Sequence, residues 1–521
     1  MTGIVNRTVT GNLAEQLALL PGYLTAHLQL TLSALLLGVL ISVPLGVLVS
    51  RSRWLEQPVL GVAGVVQTVP GLALLAVMVP LLAFAGLPSI GFLPAFLGLT
   101  LYSLLQILRN TVTGLATVDR ACIEAARGVG MTAGQQLRRV ELPLAMPVII
   151  AGIRTATVWT VGATTLSTPV GATSLGNYIF SGLQTRNLTA VLVGCAACAV
   201  LALGLDALVW LVAVGWSRRR RAILGVALAT LGLLYAYAGF TLGREFFASR
   251  TASISIGAKT FTEQYILSEI LAGQIRHATG SRVDVVQSLG STVAFDALRS
   301  GDIDLYVEYS GTVWATLMGR AGNPANRAEV LAEITRFLAG EHGIAVVGAL
   351  GFENAYALAM RRDRAAALRV RRIGDLAALA PTLVVGGDYE FFQRTEWRSI
   401  QETYHLVFRS QRSMDPSLMY QAASQGDVDV ISAFSTDGRL AALDLELLED
   451  DLGAIPPYDA LILASARLQA EHPAVLDSLR ALAGRIDADT MRRMNLAVDQ
   501  DGRSPGDVAR DFLAGLWRDG R

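Results

Sequence analysis

RACIEAARGVGMTAGQQLRRVELP, residues 120–143, is the one strongly charged loop in an otherwise apolar N-terminal half, and it lies between two hydrophobic spans. Within it Glu124, Ala125 and Ala126 are followed by Gly130, and Val140, Leu142 and Pro143 close the stretch. Helix-favouring residues on both sides of a glycine predict two short helices broken at Gly130. Held just outside a bilayer, such a knuckle suits docking into a groove on a partner. The apolar runs on either side then become membrane crossings.

The chain has 521 residues, of which 52% are hydrophobic, and they are unevenly spread. Residues 16–50, 57–108, 155–185 and 222–243 contain no Asp, Glu, Lys or Arg. A bilayer core of about 30 Å takes roughly 20 apolar helical residues per crossing, so each run can span and the second can span twice. Spans are predicted near 24–49, 58–83, 90–108, 145–170, 190–214 and 222–243, with a turn through Gly86, Leu87, Pro88 and Ser89 joining the second to the third. From about residue 250 the pattern is that of a soluble protein. The net charge of zero averages two solvents and identifies no partner; nothing points to nucleic acid. The first apolar run is too long for the h-region of a cleavable signal. Cys195 and Cys198 sit in an apolar run with no histidine near, which favours packing over metal or redox chemistry.

Arginines sort to one side of this arrangement: Arg51 and Arg53 after the first span, Arg120, Arg127, Arg138 and Arg139 after the third, Arg218 to Arg221 after the fifth. The positive-inside rule makes those loops cytoplasmic and the N-terminus external. Six crossings return the chain outside, so everything beyond about residue 250 is extracytoplasmic. Arg154 and Asp206 remain within spans, where they are expected to snorkel or to pair with each other.

The soluble half repeats one plan twice. Ile254–Gly257 reads as a strand, and Thr260-Phe-Thr-Glu263 as a capping box opening a helix. Thr382–Val385 is a second strand, followed by Gly386 and Gly387 and another helix. A helix ends at Gly301 and enters Asp-Ile-Asp304-Leu; another ends at Gly426 and enters Asp-Val-Asp429-Val. Eight residues past each glycine stands an aromatic, Tyr309 and Phe434. Two α/β lobes follow, with these rings at the carboxyl ends of equivalent strands, facing one cleft.

The spacing around Glu124 to Pro143 resembles the cytoplasmic EAA loop of permease subunits of bacterial ABC importers, with Val140 where isoleucine is usual. The stretches 257–264, 304–312, 434–438 and Pro456-Pro-Tyr458-Asp-Ala460 resemble the binding proteins of glycine betaine, carnitine and choline importers, and that likeness runs along nearly all of 254–521. The resemblance implies an N-terminal all-α polytopic membrane domain, an importer permease of about six spans including a tether helix, and a C-terminal α/β, two-lobed, periplasmic-binding-protein-like domain. The permease would occupy 1–217, the sixth span and linker 218–253, and the binding domain 254–521, with lobe I at about 254–350 and 455–521 and lobe II at about 351–454.

By the same resemblance Tyr309, Tyr356, Phe434 and Tyr458 would cage a quaternary ammonium group, Phe434 replacing a common tyrosine. Lys259, Thr312 and Arg394 would hold the ligand's carboxylate, and Thr292 would tune headgroup choice. Lys259 is the only lysine in the chain and precedes a helix N-terminus, a place that favours an anion. A trimethylammonium has permanent charge and no N–H to donate, so aromatic faces are what can grip it, at about 0.5–2 kcal/mol each. Glu124, Ala125, Ala126, Gly130, Leu142 and Pro143 would form the ATPase-coupling loop.

No G-x-x-x-x-G-K-[ST] occurs, so Mg-ATP is expected on a separate cytoplasmic ABC ATPase subunit, with no cofactor or metal on this chain. A homodimer in the cytoplasmic membrane is implied, importing a glycine betaine, choline or carnitine-type solute. A larger histidine-derived betaine such as ergothioneine, or a receptor that does not transport, are the alternatives. Five scattered histidines without metal spacing argue against an enzyme.

Overall fold

The computed structural model describes residues 2–519 apart from 186, 249–252, 321–326 and 389–390; side chains are not described at a few further positions, mainly 2–12, 15 and 245–248. The chain forms two compact units, 1–180 with 189–251 and 181–188 with 252–521.

The first unit is helical: α1 (Thr2–Val49), α2 (Arg53–Thr68), α3 (Gly71–Phe84), α4 (Phe92–Ala116), α5 (Arg120–Gly128), α6 (Ala133–Gln136), α7 (Leu142–Thr164), α8 (Gly176–Gln184), α9 (Leu188–Ser217) and α10 (Arg221–Ala248). Five described helices are long and apolar enough to cross a membrane, six crossings if the bent pair α2–α3 is one span. The span expected at 58–83 is therefore not one rod, since α2 and α3 meet at 100°. Pro70 is the cause: it bars the α region to Val69, which sits at φ −69°, ψ 126°, and restarts the helix as its N-cap. The span expected at 145–170 is helical only to Thr164; a 3-10 turn, 165–170, carries Pro169 and ends at Gly171 with φ +81°.

Helices α1 and α4 cross closely because their interface is small. A Cβ on Gly38 would lie 2.3 Å from Ser103 Oγ, and one on Gly46 2.7 Å from Thr111. Arg154 and Asp206 pair as a two-pronged fork, 2.5 and 2.6 Å, joining α7 to α9.

Side-chain contacts fix which helix ends share a face, independently of the arginine count. Arg51 bonds Glu141 at 2.6 Å, so the end of α1 and the charged loop share a face. Because α4 crosses once between them, the bent α2–α3 pair must also carry the chain across. Trp216 bonds the carbonyl of Pro143 at 3.2 Å, which brings the end of α9 to the same face. At the other face Thr25 meets Tyr237 (2.8 Å) and Gln29 meets Thr241 (3.1 Å), so α10 runs outward.

The second unit holds two five-stranded sheets. Lobe I contains β1 (Ile254–Lys259), β2 (Val283–Leu289), β3 (Leu305–Tyr309), β4 (Ala345–Glu353) and β10 (Asp459–Ala464), in the order β2-β1-β3-β10-β4. Lobe II contains β5 (Tyr356–Arg361), β6 (Val384–Gly387), β7 (Ser410–Ser413), β8 (Val430–Phe434) and β9 (Leu445–Leu448), in the order β7-β6-β8-β5-β9. In each, four strands run in one direction, and the antiparallel strand, β10 or β5, lies between the third of them and the fourth at the edge.

The sequence repeat has a physical cause. Gly301 and Gly426 both take positive φ, +81° and +82°, to end their helices. The aspartate three residues on then accepts an N–H at the start of the neighbouring parallel strand, Asp304 from Ser255 and Asp429 from Val384, each at 2.9 Å. The capping box expected at Thr260–Glu263 does not form. Helix α11 (Thr262–Thr279) starts after Phe261 with no side-chain cap, because Glu263 turns into the domain instead.

Candidate functional site

Two segments join the lobes, 353–356 and 449–458, and Ser435, just past the end of β8, bonds the first of them through Ala355. Tyr356 opens β5 with its ring 4.9 Å from Phe434, 5.8 Å edge-on to Tyr458 and 5.3 Å from Phe391. Phe261, from the β1–α11 turn of lobe I, lies 6.2 Å from Phe434 of lobe II with the rings parallel within 3°, and 6.2 Å from Tyr309. Six rings from both lobes thus form one connected set. Tyr458 packs on backbone: a Cβ on Gly311 would sit 2.3 Å from its ring, so only glycine fits there.

A buried carboxylate ties the set together. Glu263 accepts from Tyr309 (2.5 Å), Asn354 (2.9 Å), Thr436 (2.5 Å) and Asn495 (3.2 Å), reaching both lobes and the crossing between them. Burial pushes its carboxyl above the ordinary range, and the four donors pull it part of the way back. A second buried carboxylate, Glu396 of lobe II, accepts from the hydroxyl of Tyr458, which belongs to lobe I. Burial first, and then the adjoining carboxylates, push both tyrosine hydroxyls well above their usual value, so they remain donors.

Of the residues expected to bind ligand, Tyr356, Phe434, Tyr458 and Arg394 come together. The guanidinium of Arg394 lies 5.3 Å from the Tyr356 centroid, donates to Thr316 at 3.3 Å and stands 3.8 Å from Glu396. Thr312 is buried in the turn after β3. Tyr309 is buried like Tyr356 and Tyr458, with Lys259 Nζ 5.6 Å from its centroid. Lys259 is itself buried and ion-paired to Glu308. Thr292 is exposed on the first turn of α12 (Ser291–Ser300), at the carboxyl edge of the sheet. Sequence reasoning missed Phe261, Glu263 and Glu396. Phe261 was legible only as a residue of the β1–α11 turn, and a buried glutamate looks like any helix-start acid until its partners are in place.

The charged loop of the first unit is the other candidate site. Asp119 caps α5 by accepting from Ala121 at 2.9 Å, and Gly130 takes φ +79°. Thr132 and Gln135 form a capping box that starts α6. Glu124, Ala125 and Val129 face outward while Ala126 is buried, and Leu142 and Pro143 begin α7. This is an exposed knuckle on a fixed base, suited to a groove in a partner.

Residues 252–515 match the family described as the substrate binding domain of ABC-type glycine betaine transport systems, and residues 35–222 match the binding-protein-dependent transport system inner membrane component. The ergothioneine transport permease/ergothioneine binding protein of Helicobacter pylori is 31% identical over 471 residues, covering 88% of this chain and 83% of that protein. The chain belongs to this importer family, as a permease fused to its binding domain.

Other relatives match one half of the fusion each. The choline transport system permease protein of Bacillus subtilis is 42% identical over 180 residues, 34% of this chain and 80% of that protein. The carnitine transport binding protein of Listeria monocytogenes is 31% identical over 267 residues, 50% of this chain and 86% of that protein. A crystal structure of a glycine betaine/carnitine/choline ABC transporter is 29% identical, covers 50% of this chain and 98% of that one, and has a TM-score of 0.45. The permease–binding fusion is a multi-pass protein of the cytoplasmic membrane with its binding domain on the extracytoplasmic side, and it is a transport subunit rather than an enzyme. As a permease component of an ABC importer it works with an ATPase subunit.

Proposed function

We propose that this importer subunit binds a quaternary ammonium solute among Phe261, Tyr356, Phe434 and Tyr458, with Arg394 receiving the solute's carboxylate and Thr312 and Thr316 beside it. The observation that carries the proposal is the connected set of rings drawn from both lobes, 4.9–6.2 Å apart, with a guanidinium at one end. Rings attract the methylated cation, and the guanidinium offers a planar fork to a carboxylate. Lys259 and Tyr309 then support the site from behind it, and Thr292 acts at its rim. Lobe closure on the solute is the event conveyed to the permease. Loop 120–143 docks the ATPase, which binds Mg-ATP, and two copies of the chain complete the pore.

Within this class, an ergothioneine-like betaine is favoured by one observation: the relative with the same fused architecture along 88% of this chain is an ergothioneine permease and binding protein. Glycine betaine, carnitine and choline remain the competitors that the single-domain relatives support. Calorimetry of residues 253–519 with all four decides. Binding of none of them overturns the proposal; ergothioneine binding at least tenfold more tightly than the rest selects the larger betaine.

A further inference from the structure

Glu141 is a carboxylate in the one strongly charged loop of the N-terminal half, yet it is 3% exposed. Its Oε2 takes Arg51 Nη2 at the inner end of α1, 2.6 Å, and its Oε1 takes Gln136 Nε2. Gln136 Oε1 in turn faces Arg127 Nε of α5 at 3.4 Å. A π-helical turn, 137–141, leads into α7, with Leu142 N–H bonding Leu137. A second clasp lies beside the first. The carbonyl of Pro143 lacks its usual helical donor because the residue four ahead, Pro147, has no N–H; the indole of Trp216 supplies one at 3.2 Å. Under both, Ile123 of α5 and Leu137 pack with Val43 and Val47 of α1 around Leu115 and Ala145.

We propose that Glu141 is a positioning residue that fastens the ATPase-docking loop to α1, so that displacement of the loop moves the membrane helices instead of being absorbed within the loop. The proposal rests on the reading of 120–143 as the docking loop. That loop then has two faces: Glu124, Ala125 and Val129 outward for the partner, Ile123, Gln136 and Glu141 inward for the bundle.

The test uses the full chain assembled with its ATPase subunit in proteoliposomes, with labelled glycine betaine and ergothioneine in parallel arms, alongside amide hydrogen exchange. In Glu141→Gln, uptake per ATP hydrolysed falls at least fivefold and loop amides 120–141 exchange at least tenfold faster, while the ATPase still co-purifies. Arg51→Gln gives the same pattern, and the exchange pair Arg51→Glu with Glu141→Arg restores both readouts to within twofold. Unchanged loop exchange in Glu141→Gln overturns the proposal, whichever solute is carried, as does a double exchange no better than its singles in folded protein. Glu124→Arg tests the underlying reading separately: retained co-purification there defeats docking by this loop.

Discussion

Phe261 and Phe434 face each other across the two lobes, parallel within 3° and 6.2 Å apart. One comes from a turn after the first strand of lobe I and the other from the end of a strand in lobe II, so the pair exists only when the lobes are together. If these faces grip the cation, Phe261→Ala and Phe434→Ala each weaken binding by about 0.5–2 kcal/mol, roughly two- to thirtyfold. Calorimetry reads this directly. Tyr309→Phe, which keeps the ring and removes a donor to Glu263, lowers stability more than affinity.

Gly311 allows Tyr458 to lie flat on the chain, and a methyl group there would overlap the ring. Gly311→Ala is expected to displace Tyr458, costing about 1–3 kcal/mol of domain stability and most of the binding. A thermal melt and a titration on the same sample separate the two losses. Unchanged affinity would show that Tyr458 does not touch the ligand.

Glu263 sets a pH dependence. Its folded pKa is raised above the unfolded value of about 4.3, so the folded domain holds the proton more tightly. Its contribution to stability is full below that value and is lost as pH rises through the folded pKa. Glu269 is shifted in the same direction by burial, so it adds to the slope. These two groups make denaturant midpoints of residues 253–519 fall as pH rises above about 4.3, His342, held low by burial, acts in the opposite sense toward neutrality, and Glu263→Gln should flatten the fall relative to the parent. Equal slopes would remove the assignment.

Arg154 and Asp206 form a two-pronged pair between α7 and α9. Reversing either charge leaves two like charges within a membrane segment, at a cost on the order of 2.5–3.5 kcal/mol for a charge at the bilayer centre. Arg154→Asp or Asp206→Arg should each lower the yield of folded protein in detergent. The double exchange should recover it, because the fork can form in reverse.

Much of this molecule is legible in its sequence. Charge-free runs long enough for a bilayer, arginines gathered at alternate ends and a glycine-broken charged loop fix the membrane half, since lipid tolerates few other solutions. The paired Gly-Asp-x-Asp stretches fix the two lobes, since each glycine ends a helix and each second aspartate caps the neighbouring parallel strand. Gly130 was readable for the same reason: its positive φ is a property of one residue.

What only the tertiary structure decided are the pairings between distant side chains. Nothing local names Glu308, 49 residues away, as the partner of Lys259. Glu263 reads as a helix cap until donors from positions 309, 354, 436 and 495 converge on it. The bend between α2 and α3 needed Pro70 seen in place, and the anchoring of the charged loop 120–143 needed Arg51 and Trp216 brought to it by separate helices. Patterning dictates which surfaces are buried, because water and lipid act on each residue singly. Which buried charge meets which is set by packing geometry, and that geometry is a property of the whole chain.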